Sequence, residues 1–116
     1  VHKTFEMYDR VLELDPNNVY VLNNYAYFLS IRNLNLSRAE QMSSMAVSMD
    51  SDNSTFLDTY AWVLYKRENY SLAKYYMKLA IEKSKFPSSV ILKTDGIASF
   101  NVGPIEIFAR LVPSSR

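Results

Sequence analysis

Apolar residues recur at spacings of three and four along most of the chain, the period of one face of an α-helix. Residues 3 to 14 place Phe5, Tyr8, Val11, Leu12 and Leu14 on such a face. Asp15-Pro16-Asn17-Asn18 stops that stretch, and Asn17 or Asn18 can cap the helix that follows. Residues 19 to 32 carry Leu22, Tyr25, Ala26 and Leu29 on one stripe, and Asn33 to Asn35 reads as a turn. Ser37 is the expected cap of a third helix, with Glu40 completing a capping box. Its buried stripe is Ala39, Met42, Met45 or Ala46, and Met49. Ser54 is the expected cap of a fourth helix holding Leu57, Tyr60, Ala61 and Leu64. After a turn at Asn69-Tyr70, Ser71 is the expected cap of a fifth, with Ala73, Met77, Ala80 and Ile81. Lys78, Lys83 and Lys85 suit the negative end of that helix's dipole. Phe86-Pro87 ends it, and Ser88 or Ser89 starts one more helix with Val90, Ile91, Leu92 and Ile97.

Two parts of this pattern say nearly the same thing. Ala26 to Ala61 is a step of 35 residues and Ala39 to Ala73 a step of 34. Self-similarity near that period marks stacked helix pairs, each unit covering its neighbours. Helices of about 12 to 15 residues are marginal alone in water. Each must bury its single apolar stripe. Ala26, Ala39, Ala46, Ala61, Ala73 and Ala80 let backbones approach, and Leu22, Tyr25, Leu57, Tyr60 and Met77 fill the space beside them. The expected fold is all-α, built of antiparallel helix-hairpin repeats.

Composition narrows the function classes. At 116 residues the chain is one domain or part of one. Thirteen basic and twelve acidic residues, a formal charge of +1, are not the clustered Lys and Arg of a nucleic-acid footprint. Hydrophobic content of 48% argues against disorder. The absence of cysteine excludes disulfides and thiolate metal sites but leaves the compartment open, cytoplasmic or periplasmic, with a membrane-anchored parent also allowed. No run approaches the roughly 18 apolar residues of a membrane span, so no membrane insertion by this segment is expected. The chain starts at Val1 and reads as a piece excised from a longer protein. Three glycosylation sequons, at Asn35, Asn53 and Asn69, are read as turn chemistry.

These residues resemble the tetratricopeptide repeat. The first helix of that motif carries a bulky residue, a large-small pair and another bulky residue. Leu22, Tyr25-Ala26 and Leu29 match it, and again Leu57, Tyr60-Ala61 and Leu64. The turn aromatic resembles Tyr70, with Leu36 in its place in the first unit. The second helix's pattern matches Ala73, Met77 and Ala80, and Ala39, Ser43 and Ala46, where Ser43 departs as a small polar residue. The closing Asp-Pro matches Asp15-Pro16 but becomes Asp50-Ser51. One extra residue near Leu34 accounts for the two step lengths. The resemblance implies a right-handed superhelical solenoid over 1–99: the second helix of a truncated repeat at 3–14, full repeats at about 19–52 and 54–87, and a degenerate helix at 88–99 with Gly96 at the small position. Asn23-Asn24-Tyr25-Ala26-Tyr27 and Asp58-Thr59-Tyr60-Ala61-Trp62 are similar to C-terminal repeats of longer bacterial members. Residues 100–116 leave the pattern and are expected to be irregular; the open readings are a native end, vector-derived sequence, or a segment that docks on a neighbour, and the tail is expected to pack somewhere because Ile105, Ile107, Phe108, Leu111 and Val112 are costly to expose.

Such arrays bind proteins and rarely do chemistry, so the resemblance implies an interaction scaffold or adaptor, not an enzyme, with no cofactor. The first helix of each unit would line the inner face. Beside the core residues it presents Tyr20, Asn23, Asn24, Tyr27 and Ile31, then Thr55, Asp58, Thr59, Trp62, Tyr65 and Lys66, then Val90, Lys93, Thr94 and Ile97. Tyr and Trp dominate interface hot spots, and Asn can bond a peptide backbone of any sequence. The expected partner is therefore a protein, engaged through an extended peptide or a helix. The competing reading is that Tyr27 and Trp62 pack only against the neighbouring unit. The family's grip on a C-terminal carboxylate is matched only by Asn23 and Lys93; Tyr27 and Thr59 do not supply the rest. Alternatives are an accessory segment of a larger protein, or a homodimer through the open N-terminal edge or the C-terminal tail.

Other candidates have plainer readings. Asp50-Ser51-Asp52-Asn53-Ser54 opens like a calcium loop, but Thr55 and Ala61 stand where Gly and an acid are required. His2 is the only histidine and lies at the chain's end, so it is neither base nor ligand. There is no Gly-rich phosphate loop. Glu6, Asp9 and Glu13 are expected on a solvated helix face. Met42, Met45 and Met49 are expected to fill the core.

Overall fold

The structure is a computed structural model that describes residues 2–84. Five helices follow one another: α1 (His2–Leu14), α2 (Val19–Ile31), α3 (Leu36–Met49), α4 (Ser54–Lys66) and α5 (Tyr70–Ser84). No strand occurs among the described residues. The sixth helix expected at 88–99, Lys93 within it and the tail at 100–116 lie outside the described residues.

Asparagine, not serine, starts the helices. Asn18 Oδ1 accepts from the Val21 N–H at 3.1 Å, Asn35 Oδ1 from Arg38 at 3.3 Å, and Asn53 Oδ1 from Thr55 and Phe56 at 2.9 and 3.1 Å. The caps expected of Ser37 and Ser54 are therefore corrected to Asn35 and Asn53. The first helical bond of α5 closes on the Asn69 carbonyl, from Ala73 N–H at 3.0 Å, so Ser71 lies inside the helix. An asparagine one or two places upstream takes the position first, since both residue types cap well. Ser37 instead donates to Asn35 Oδ1 at 3.3 Å. The sequons thus arise because a capping Asn is followed by Ser or Thr in the first turn.

The two hairpin turns are built alike. Leu34 N–H reaches the Leu29 carbonyl and Asn69 N–H the Leu64 carbonyl, both at 2.9 Å. Each turn passes through a left-handed residue, Asn33 at φ 55 and Glu68 at φ 66. In the second unit Asn69 then leads directly into α5. In the first, Asn35 is added, itself left-handed at φ 42, a conformation Asn tolerates.

Helix α2 pairs with α3 and α4 with α5; α2 and α3 both pack on α4, and α1 lies on α2. All six alanines of the repeat pattern are fully buried. Leu57, Ala61, Leu64, Ala73, Met77 and Ala80 form the core of the second hairpin, with Trp62 at its edge. Leu22, Tyr25, Ala26, Leu29, Ala39 and Met42 form that of the first. Val63 of α4 belongs to the first cluster, so α4 is buried from both sides and locks the two hairpins together. Burying each such side chain contributes about 1.5–3 kcal/mol. Ser43, the departure from the family pattern, is fully buried and donates to the Ala39 carbonyl at 2.8 Å, which removes the penalty of an unpaired hydroxyl.

Two expectations about side chains are corrected. Met42 is buried, but Met45 and Met49 are exposed, because α3 turns that edge away from α2 and α4. Asp9 is not on a merely solvated face. It accepts from the Tyr25 hydroxyl at 2.9 Å and from Arg38 at 3.1 Å, and the Arg38 guanidinium lies 4.8 Å from the Tyr25 ring centre. This ties α1, α2 and α3. Burial, and then the bond to Asp9, raise the Tyr25 hydroxyl above its usual range. Asp52, in the acidic turn, pairs with Lys83 at 3.1 Å.

Candidate interaction face

Helices α2 and α4 pack directly on each other. Their matched positions, 35 residues apart, bring the expected stripe together as two rows. The rows are less open than the sequence suggests. Tyr20 is 69% exposed and sets its ring edge-on to Phe56 of α4, with 6.0 Å between centres. Asn24 is exposed and accepts a long 3.4 Å bond from Asn23 Nδ2. Asn23 itself is only 5% exposed and Asp58, its counterpart in α4, 4%. Tyr27 is half-buried and packs against the core of the second hairpin, as the competing reading held for this residue.

Trp62 is 9% exposed and stacks on Tyr65, with ring centres 5.6 Å apart. Lys66, one turn further along α4, places its ammonium 5.6 Å from the Trp62 ring centre, a cation–π contact. Tyr65 and Lys66 are both half-buried, and so α4 ends in a compact aromatic and cationic patch. Lys93 lies outside the described residues. Phe56 was not singled out from sequence; its only signal was an aromatic beside Leu57 at the start of α4.

Three polar groups on these rows stand out. Asn23 Oδ1 and Trp62 Nε1 are sealed from solvent and have no hydrogen-bond partner. Burial pushes the Asp58 carboxyl up to about 8. Its shift has no contribution from any hydrogen bond or neighbouring charge. Buried polar groups are normally paired, and each unpaired one costs about 1–3 kcal/mol.

The described clefts lie elsewhere. One, of about 180 Å³, is lined by Thr4, Phe5, Phe28 and Arg32; another, of about 220 Å³, by Ser37, Glu40, Gln41, Ser44 and Arg67. Among the described residues there is no group of three His, Cys, Asp or Glu placed to hold a metal, and no helix is long and apolar enough to cross a membrane.

A helical repeat with two stacked hairpins is the class this geometry defines. Residues 7–41 match the family model described as tetratricopeptide repeat, a stretch that runs from α1 through α2 into α3. The chain therefore carries a repeat of that family, whose members are generally protein–protein interaction modules and typically non-catalytic. No curated protein and no solved structure matches the chain.

Proposed function

We propose that residues 19–84, together with α1, act as a non-catalytic adaptor in an array of repeats, and that the face formed by α2 and α4 binds a linear peptide or a helix of a partner protein. One observation carries this reading: Asn23 Oδ1 and Trp62 Nε1 on that face are buried without partners. A rotamer change that turns either group toward a bound backbone gains a hydrogen bond that the free protein lacks. Tyr20 and the Trp62–Tyr65 stack add rigid apolar area beside them, the residue types that dominate interface hot spots. Because the helices are already formed, little ordering accompanies binding.

The test is amide chemical-shift mapping with peptides selected from a random display library. The expected result is shifts concentrated in α2 and α4, and weaker binding by about fivefold when Trp62→Phe removes the indole N–H but keeps a ring. Shifts confined to α1, α3 and α5 would refute the placement. Self-association through the N-terminal edge is the alternative, favoured by exposed Met7 and the cleft at Phe5 and Phe28. Light scattering against concentration distinguishes it.

A further inference from the structure

Asp58 is the most deeply buried ionisable side chain among the described residues of this face. It is 4% exposed, and among the described residues it forms no hydrogen bond and no ion pair. An ionised carboxylate is costly in that condition, so burial favours the protonated form until a cation reaches the group. At the matched place in α2, Asn23 is 5% exposed, and its Oδ1 also lacks a donor. Asn23 Oδ1 is an acceptor, and Asp58 becomes acceptor-only once it gives up its proton, on helices that pack directly together.

One turn along α4 from Asp58 lies the stacked Trp62–Tyr65 pair. What this part of the face lacks is positive charge: its unpaired donor, Trp62 Nε1, is neutral. Lys66 does not supply it, since it lies two turns from Asp58 and its ammonium sits over the Trp62 ring. Arginine and lysine side chains carry several donors and no acceptor. Their long apolar stems reach a recessed carboxyl that a peptide backbone does not, and both cations are compatible with neighbouring aromatic rings.

Resting on the reading of this face as peptide-binding, we infer that Asp58 is a specificity-determining residue that receives a basic side chain, arginine or lysine, of the bound peptide, with Asn23 Oδ1 as a second acceptor. The two acceptors then select among peptides, and Trp62 Nε1 is left to bond a peptide carbonyl. Specificity here works by gain: a cation lets Asp58 ionise within a pair and gives Asn23 Oδ1 a donor, and a neutral side chain at that point does neither.

Random linear peptides displayed on phage are selected against the whole chain and against Asp58→Asn, which keeps the side chain's shape and removes its charge. The wild type is expected to enrich peptides sharing one Arg or Lys position. That position should disappear from the Asp58→Asn selection while the rest of the shared sequence stays. In a synthetic peptide, replacing that residue by citrulline or norleucine should weaken binding to the wild type by about tenfold or more and to Asp58→Asn by less than about twofold. Shared peptides with no basic position, or a basic position kept against Asp58→Asn, overturn this inference and leave the peptide-binding reading standing. No enrichment by the wild type overturns both.

Discussion

Exchanging Asp58 for asparagine should shift stability in the variant's favour as pH rises. Burial pushes the folded carboxyl up to about 8 from an ordinary value of 3.8. Between those values the folded chain keeps a proton that the unfolded chain has released. Stability linked to that proton is complete below the unfolded value and is lost as pH rises toward the folded one. Each pH unit inside the window removes about 1.4 kcal/mol, so on the order of 3 kcal/mol disappears between pH 5 and 7. Against a typical total of about 5–15 kcal/mol this is a large share.

Asparagine does not titrate. Its amide, left without partners, costs about 1–3 kcal/mol at every pH alike. The signature is therefore the slope of the difference between variant and wild type, not its absolute size. Other titrating groups act in both proteins and cancel in that difference. Urea unfolding followed by circular dichroism and by the fluorescence of Trp62, the sole tryptophan, measures it. A difference that stays flat within about 0.5 kcal/mol from pH 5 to 7 would refute the assignment of a proton-holding Asp58.

Four further outcomes are expected. Glu68 sits at φ 66, so Glu68→Gly should raise stability by about 1 kcal/mol, read as a higher urea midpoint. Asn53→Ala should destabilise by about 1 kcal/mol while Ser54→Ala stays within about 0.5, a contrast that equal effects would contradict. Ser43→Met, restoring the bulk usual in the family, should cost about 1–3 kcal/mol in thermal or urea unfolding, because Ser43 is fully enclosed. Arg38→Ala should cost no more than about 1 kcal/mol, since its pair with Asp9 is nearly half exposed, and added salt should shrink the effect.

The repeated core was legible in the chain because burial there follows period alone. Leu22, Ala26, Leu29, Leu57, Ala61 and Leu64 lie on one stripe of each helix, and that stripe must be covered in any stacked arrangement. Val63 and Phe56 were not legible. Val63 joins the first hairpin's core across the helix pair, Phe56 is buried with its ring against Tyr20 of α2, and neither contact follows from the period within α4. The helix starts were misplaced for a local reason. Two residue types with similar capping strength stand side by side, and the sequence does not say which adopts the non-helical backbone. Met45 and Met49 were misread because helical spacing places residues on a face but does not set how wide the buried face is.

The candidate face was harder to read than the core, and the reason lies in its second row. Asn23 and Asp58 stand at matched places, as do Tyr27 and Trp62, so period puts each pair on the inner side of its helix. Period does not say how deeply that side is sunk. The direct packing of α2 on α4 closes over Asn23 and draws Tyr27 into the second hairpin's core, while Tyr20, nearer the helix start, stays exposed. A polar side chain retained at such depth without a partner works against stability. Two sealed, unpartnered atoms and the buried Asp58 lie on one face, whereas polar groups at Ser43 and Asp9 elsewhere are well paired, and that contrast is what the proposed peptide site rests on. Asp58→Asn should accordingly remove the loss of stability with rising pH and erase peptide selectivity together, and a variant that did one without the other would break that link.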